Sequence, residues 1–167
     1  DYFDGGPGAD IFHGLSGLDV VSYENRGSSV SVTLDEFAND GETGEGDFID
    51  EDIEAVKGGV QADTLTGGPR DDILMGGSGN DVIHGGAGDD TLNGTGGTDQ
   101  IFGDSGSDTA SYGPTDVDSY VGHEAGVEIS LTGTGDDGAP GEGDTVHDDV
   151  ENLIGSDHDD VIVGDEG

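Results

Sequence analysis

A nine-residue period governs this chain. Gly76-Gly77-Ser78-Gly79-Asn80-Asp81-Val82-Ile83-His84 runs directly into Gly85-Gly86-Ala87-Gly88-Asp89-Asp90-Thr91-Leu92-Asn93. Both read G-G-x-G-x-D-x-U-x, where U is a large apolar residue. Gly5 to His13 fits the same pattern, and Leu18-Asp19-Val20-Val21 closes a copy begun at Gly14. Further copies begin at Gly58, Gly67, Gly94, Gly103 and Gly155. A glycine-rich chain throws up a stray GGxG by chance. It does not hold an aspartate and an apolar residue in phase through six contiguous copies, from Gly58 to Ser111.

The period dictates local structure. GGxGxD is neither helix nor strand, because repeated glycine lets the backbone curl tightly and aim its carbonyls inward. The last three positions, x-U-x, form a short strand with U facing inward. Two nonapeptides therefore make one rung (turn, strand, turn, strand), and rungs stack as parallel strands. The nonapeptide resembles the RTX (haemolysin-type) calcium-binding repeat. The resemblance covers residues 1–22, 58–111 and 155–167, and implies an all-β, right-handed parallel β-roll.

Composition explains why such a fold needs a cation. The 167 residues include 35 Gly and 40 Asp or Glu, against three basic side chains, Arg26, Lys57 and Arg70, for a formal charge of -37. Apolar residues make up 29% and aromatics 5%. Such a chain buries too little apolar surface to offset its entropy and repels itself. Without the in-phase apolar position it would read as an acidic disordered tail. The charge excludes nucleic acid and anionic lipid as partners. With no cysteine there is no disulfide or thiolate metal site, and no apolar run of about 18 residues exists to span a membrane. Asp1-Tyr2-Phe3-Asp4 is not a signal peptide.

Stacking puts the position-six aspartate of one repeat beside the turn of the repeat two along. Carboxylates and turn carbonyls then surround an oxygen-lined hole. Such a hole suits Ca²⁺, which takes six to eight oxygens in irregular geometry, better than Mg²⁺ or zinc. In the central block these residues are Asp63, Asp72, Asp81, Asp90, Asp99 and Asp108, and pairs 63/81, 72/90, 81/99 and 90/108 predict four sandwiched sites. The glycines of the two full repeats, Gly76, Gly77, Gly79, Gly85, Gly86 and Gly88, are the matching turn candidates. Asp10, Asp19 and Asp160 hold position six in the outer blocks. Position eight supplies Leu65, Leu74, Ile83, Leu92, Ile101 and Ala110, with Phe12, Val21 and Ile162 elsewhere. One apolar residue in nine is a thin core, so folding and ion binding should be one equilibrium.

Two longer segments interrupt the repeats and resemble each other. Ser22-Tyr23 matches Ser111-Tyr112, Val30 to Leu34 matches Val127 to Leu131, and Gly44-Glu45-Gly46-Asp47 matches Gly141-Glu142-Gly143-Asp144. Asp52-Ile53-Glu54 matches Asp149-Val150-Glu151, and this D-[IV]-E unit is expected to be a strand. The expected organisation is a repeat block over 1–22, an insert over 23–57, a central block over 58–111, a second insert over 112–154 and a last block over 155–167. The inserts should continue the solenoid. Asp47, Asp52, Glu54, Asp144, Asp149 and Glu151 are either further Ca²⁺ ligands or a solvated acidic surface. The second insert is longer, mainly through Pro114 to Ala125. The opening Asp1–Asp4 and closing Gly164–Gly167 each read as part of a repeat, so a segment of a longer array is expected.

Departures from the pattern predict weak turns. Position four is Gln61, Arg70 and His158 in three repeats, where a side chain disfavours positive φ. Arg70 also carries a cation close to a predicted site. Position two is Leu15, Thr95, Asp104 and Ser156. Other signals fail. His123-Glu124 begins H-E-x-x-H, but Val127 stands at the fifth position. The five histidines are scattered and read as solvated surface. Gly133 to Gly138 spells G-x-G-x-x-G, but Ala139-Pro140-Gly141 follows where a helix is required. Asn93-Gly94-Thr95 is a glycosylation sequon inside a repeat.

The expected function is a non-catalytic, calcium-binding structural module that folds on Ca²⁺ outside the cell. The RTX resemblance implies a secreted bacterial protein with its active domain elsewhere. Neighbouring domains of a longer parent chain are the implied partners, and a monomer is expected. The alternative is an accessory module of an extracellular enzyme or adhesin that holds an acidic polysaccharide through Ca²⁺. Catalysis by the inserts is a third reading without a motif behind it.

Overall fold

Local rules leave the chain little choice but strands and turns, and the computed structural model, which describes residues 1–114, 123 and 125–164, contains no helix among them. Glu124, most of the extra length of the second insert and Asp165–Gly167 lie outside the described residues. The x-U-x strands sort into two sheets. One runs Tyr2–Phe3, Val20–Ser22, Ala55–Lys57, Ile73–Gly79, Thr91–Gly97, Thr109–Ser111 and Asn152–Ile154, with every neighbour parallel. The other runs Thr145–Val146, Gln100–Ser105, Val82–Ala87, Thr64–Thr66, Val30–Thr33, Ala38–Glu42, Asp47–Ile49 and Ile11–Phe12. Glu128–Ser130 pairs with Val161–Val163 separately, also in parallel. The array is a β-roll, with successive repeats alternating between the two sheets.

Register is set by the apolar position. Leu65, Ile83 and Ile101 align in one sheet, and Leu74, Leu92 and Ala110 in the other. A one-residue slip would turn each of these outward, and all six are fully buried. The inserts continue the stack. Val56 aligns between Val21 and Leu74, Val32 with Leu65, Ile49 with Phe12, and Val146 with Ile101. They also thicken the interior with Tyr23, Val30, Leu34, Ile53, Tyr112, Val127, Ile129 and Val150. The core is therefore richer than the nonapeptides alone provide. Ile162 is the exception among position-eight residues, at 48% exposure.

Each insert folds the same way. Val30–Thr33 runs antiparallel to Ala38–Glu42, which runs antiparallel to Asp47–Ile49. The second insert repeats this as the bridges Glu128↔Gly138 and Asp137↔Asp144. One expectation fails. Asp52-Ile53-Glu54 is not a strand but the turn before Ala55–Lys57, and Asp149-Val150-Glu151 likewise precedes Asn152–Ile154. Their carboxylates are spent on backbone N–H groups of the preceding turns, which holds this segment out of the ladder.

Since Ile83 sits in the middle of its column, Ile83→Ala should cost the folded chain about 2–5 kcal/mol. The urea midpoint would read this as a clear fall.

Candidate metal sites in the stacked turns

The turns along each edge of the roll stack with an 18-residue step. Within the central block the backbone N–H of a position-six residue donates to the carboxylate of the position-six residue one rung on. Asp63 N donates to Asp81 Oδ1, Asp72 N to Asp90 Oδ1 and Asp81 N to Asp99 Oδ1, each at 2.8 Å, and Asp90 N to Asp108 Oδ1 at 2.9 Å. The expected pairs are thus adjacent in space. The position-one glycine is required by packing: a methyl group on Gly85 would lie 2.6 Å from both Asp90 Oδ2 and Gly103 O. The same two kinds of oxygen, a repeat's own Oδ2 and a carbonyl of the next rung, crowd Gly76 and Gly103. At Gly103 the carbonyl is that of Asp149.

The second carboxylate oxygen divides the repeats into two kinds. Oδ2 of Asp10, Asp19, Asp81, Asp90, Asp99 and Asp108 is buried without a hydrogen-bond partner. These six belong to the turns in which positions two and four both take positive φ: Gly6/Gly8, Leu15/Gly17, Gly77/Gly79, Gly86/Gly88, Thr95/Gly97 and Asp104/Gly106. The other three repeats have Gln61, Arg70 or His158 at position four, and neither of the two positions is left-handed. There the turn closes on its own aspartate. Gly59 N donates to Asp63 Oδ2 and Gly68 N to Asp72 Oδ2, both at 2.6 Å. Ser156 Oγ donates to Asp160 Oδ1 at 2.7 Å. Arg70 turns away toward Glu51, 3.7 Å distant. Leu15, Thr95 and Asp104 keep the open turn at position two despite their side chains, with φ of 67°, 69° and 65°.

An unpartnered buried carboxylate oxygen is costly, and burial disfavours the charged form of the aspartates in the central block, in open and closed turns alike. Burial, followed by neighbouring aspartates, pushes Asp81 and Asp90 up to about 7. Burial also raises Asp99 and Asp72 to about 6, and Asp63 and Asp108 upward. Asp160 moves the other way, held down chiefly by the Val127 N–H. Hard, anionic, water-excluded oxygens beside carbonyls match the donor chemistry of Ca²⁺. Among the described residues no three His, Cys, Asp or Glu side chains gather at one point. Two carboxylates supplemented by backbone carbonyls form no such cluster.

The insert carboxylates are engaged differently. Asp47 Oδ1 accepts from Asp10 N at 2.9 Å and its Oδ2 from Tyr23 Oη at 2.9 Å. Asp144 does the same with Asp99 N, 2.9 Å, and Tyr112 Oη, 3.2 Å. Glu54 and Glu151 accept from Asp19 N and Asp108 N. Both oxygens of Asp52 take N–H groups, of Gly14 and Leu15, and Asp149 takes those of Gly103 and Asp104. Each thus stands where the next rung of an unbroken array would place its own groups. Two residues escaped the sequence reading. Asp40 and Asp137 lie buried and tie the hairpin together, Asp40 through Thr33 N and Ile49 N and Asp137 through Ser130 N and Val146 N. Burial lifts Asp40 to about 7. Their signal was the longer identity D-G-x-x-G-E-G-D, shared by 40–47 and 137–144.

Histidine placement also departs from expectation. His84, Phe102 and His147 stack as rings, with centroids 4.4 and 3.8 Å apart, and the His123 side chain is only 7% exposed rather than solvated. Asn93 of the sequon is buried too, its amide donating to Gly113 O.

A roll whose edges carry stacked Gly-Asp turns defines a class of cation-binding β-solenoid. The RTX calcium-binding nonapeptide repeat model matches in four copies, over residues 1–22, 57–92, 75–110 and 148–167, together more than half of the chain. The chain belongs to this family of structural calcium-binding repeats. No curated protein matches it.

The raised aspartates give the chelated chain a definite pH response. Asp81 and Asp90 stand at about 7 and Asp72 and Asp99 at about 6 in the fold, against about 3.9 in the unfolded chain, so the folded state binds more protons between those values. Stability of the cation-free fold should rise as pH falls from 8 to 5 and be lost as pH climbs through 7. In calcium the sign should reverse, because protons compete for the same oxygens. Far-UV circular dichroism across pH, with and without chelator, checks both slopes.

Proposed function

We propose that this chain is a non-catalytic structural module of an exported bacterial protein, one that stays unfolded where free calcium is scarce and becomes a rigid roll where it is abundant. The observation behind this reading is the set of six buried Oδ2 atoms, each in an open turn and each without a partner. At neutral pH these carboxylates repel one another along the edges of the roll, and the apolar columns between the sheets hold the register without cancelling that charge. Bound Ca²⁺ would supply charge and a six-to-eight-oxygen coordination shell. The chain's residues do the rest: position-six aspartates present an anionic oxygen, position-one glycines admit it, and turn carbonyls face it.

We assign the ions to Asp10, Asp19, Asp81, Asp90, Asp99 and Asp108. Gly76, Gly77, Gly79, Gly85, Gly86 and Gly88 shape the open turns. Asp63, Asp72 and Asp160, whose turns close upon themselves, are weak or silent positions. Asp47, Asp52, Glu54, Asp144, Asp149 and Glu151 serve as backbone caps, which supports dividing the chain at the inserts over 23–57 and 112–154. Sites of about 10⁻⁴–10⁻³ M, as in extracellular modules, would make the switch respond to export. No helix among the described residues is long and apolar enough to cross a membrane. The module's partners are then calcium ions and adjoining domains of its parent chain.

Circular dichroism titration tests the reading. Coil in chelator, a cooperative gain of β signal with Ca²⁺ and little response to Mg²⁺ are expected; full β signal in chelator would refute it. Asp90→Asn should raise the calcium midpoint several-fold, whereas Asp63→Asn should shift it little. Equal shifts would argue against the division into open and closed turns.

A further inference from the structure

The two inserts carry the same cleft, lined with different chemistry. In the first, a cleft of about 520 Å³ opens on the outer face of the hairpin. Its counterpart in the second measures about 560 Å³. Both volumes fall within the range of small-ligand sites. Strand register builds the cleft. Thr64, Ser31 and Gly41 stand in one row across three neighbouring strands. Gly41 ends the row without a side chain, and a methyl group there would lie 2.7 Å from Asp47 Oδ2. Ser29, Asn39 and Thr43 complete the rim. The walls are fixed from below. Asp40 accepts from Thr33 N at 2.8 Å and Ile49 N at 3.3 Å, and Glu45 accepts from Glu42 N at 2.9 Å and Arg26 Nη1 at 2.8 Å. The cleft is therefore formed before any ligand arrives.

Side chains separate the pair. Where the first cleft has Ser29, Ser31, Asn39, Thr43 and Thr64, the second has Gly126, Glu128, Asp136, Pro140 and Val161. Five neutral groups that both donate and accept give way to two carboxylates and three residues with no polar side chain. All five are exposed, and none of their side chains bonds to the protein among the described residues. Single exposed hydroxyls bonded to water are ordinary, but here five such groups converge on one preformed cleft, and the lining of its twin has none. A formal charge of -37 turns away phosphates, sulfates and uronates. A cation would favour the second cleft, with Glu128, Asp136 and Asp159, over the first, whose lining carboxylate is Glu42. An apolar ligand would strip water from the hydroxyl and amide groups without replacing it. We propose that the first insert binds a short neutral saccharide in this cleft, through Ser29, Ser31, Asn39, Thr43 and Thr64, with the Glu42 carboxylate accepting from a sugar hydroxyl. Such binding requires the folded roll, whether or not calcium is what folds it. Neither a bridging metal nor a charge on the sugar takes part.

Heteronuclear NMR on the calcium-saturated, isotope-labelled chain tests this, with maltose, cellobiose, lactose and mannobiose as neutral probes and digalacturonate as the charged one. At millimolar concentration at least one neutral probe should shift the amides over 29–31, 39–44 and 64, and leave those over 126–128, 136–141 and 161 in place. Ser31→Glu combined with Thr64→Val, which gives the first cleft the residues of the second, should weaken that binding at least about tenfold. Asn39→Asp should weaken it as well, and decides the matter if the double variant does not fold. No shift at the first cleft with any neutral probe, equal shifts in both clefts, a preference for digalacturonate, or binding undiminished in the variants would overturn the proposal.

Discussion

Like charges held in a dry stack are the constraint on which everything else in this molecule rests. Each edge of the roll carries a column of aspartates spaced by one rung, joined through backbone N–H to Oδ1 contacts. That join fixes each carboxylate and turns its other oxygen inward. Position one must then be glycine, because the carboxylate takes the space of a methyl group. The apolar columns of Leu65, Ile83 and Ile101 and of Leu74, Leu92 and Ala110 hold the register but do not cancel the charge. Position four selects the outcome. Glycine permits an open turn with a bare oxygen, while Gln61, Arg70 and His158 leave a turn that satisfies its aspartate internally.

The inserts show how a solenoid can be interrupted without leaving its edges raw. Each replaces a missing rung with carboxylates that receive the orphaned N–H groups: an aspartate at 47 or 144, an aspartate at 52 or 149 and a glutamate at 54 or 151. The Arg26 guanidinium in the first insert and the His123 ring in the second lie against the orphaned carbonyl. The hairpin between them, tied by Asp40 or Asp137, returns the chain to the next rung in register. The two modules are built to one plan, so the roll continues through both with a single connected core.

Much of this was legible in the sequence because a nine-residue period ties residue type to position. Strand, turn, inward face and the 18-residue partner of each aspartate all follow from it. The inserts were half legible. Their recurrence identified Asp47, Asp52 and Glu54 as a set, but D-I-E looked like a strand because an apolar residue between acids mimics alternation. Its acids instead cap turns some 35 residues earlier, a relation no local pattern carries. Arg26 and His123 were hidden for the same reason. Their equivalence is spatial, and their offsets from the matching tyrosines differ. That Gln61 and Arg70 avoid positive φ was foreseen on steric grounds, whereas the consequence, an N–H turned onto the turn's own aspartate, has no signal in the local sequence.

The dependence of compactness on a cation is most directly measured by small-angle X-ray scattering at neutral pH, with and without chelator. An expanded chain of this length has a radius of gyration of roughly 40 Å and a folded one below roughly 20 Å. We expect the expanded value in chelator and collapse to the compact one in millimolar calcium. A chain equally compact in both would mean that something other than a bound cation neutralises the stacked carboxylates.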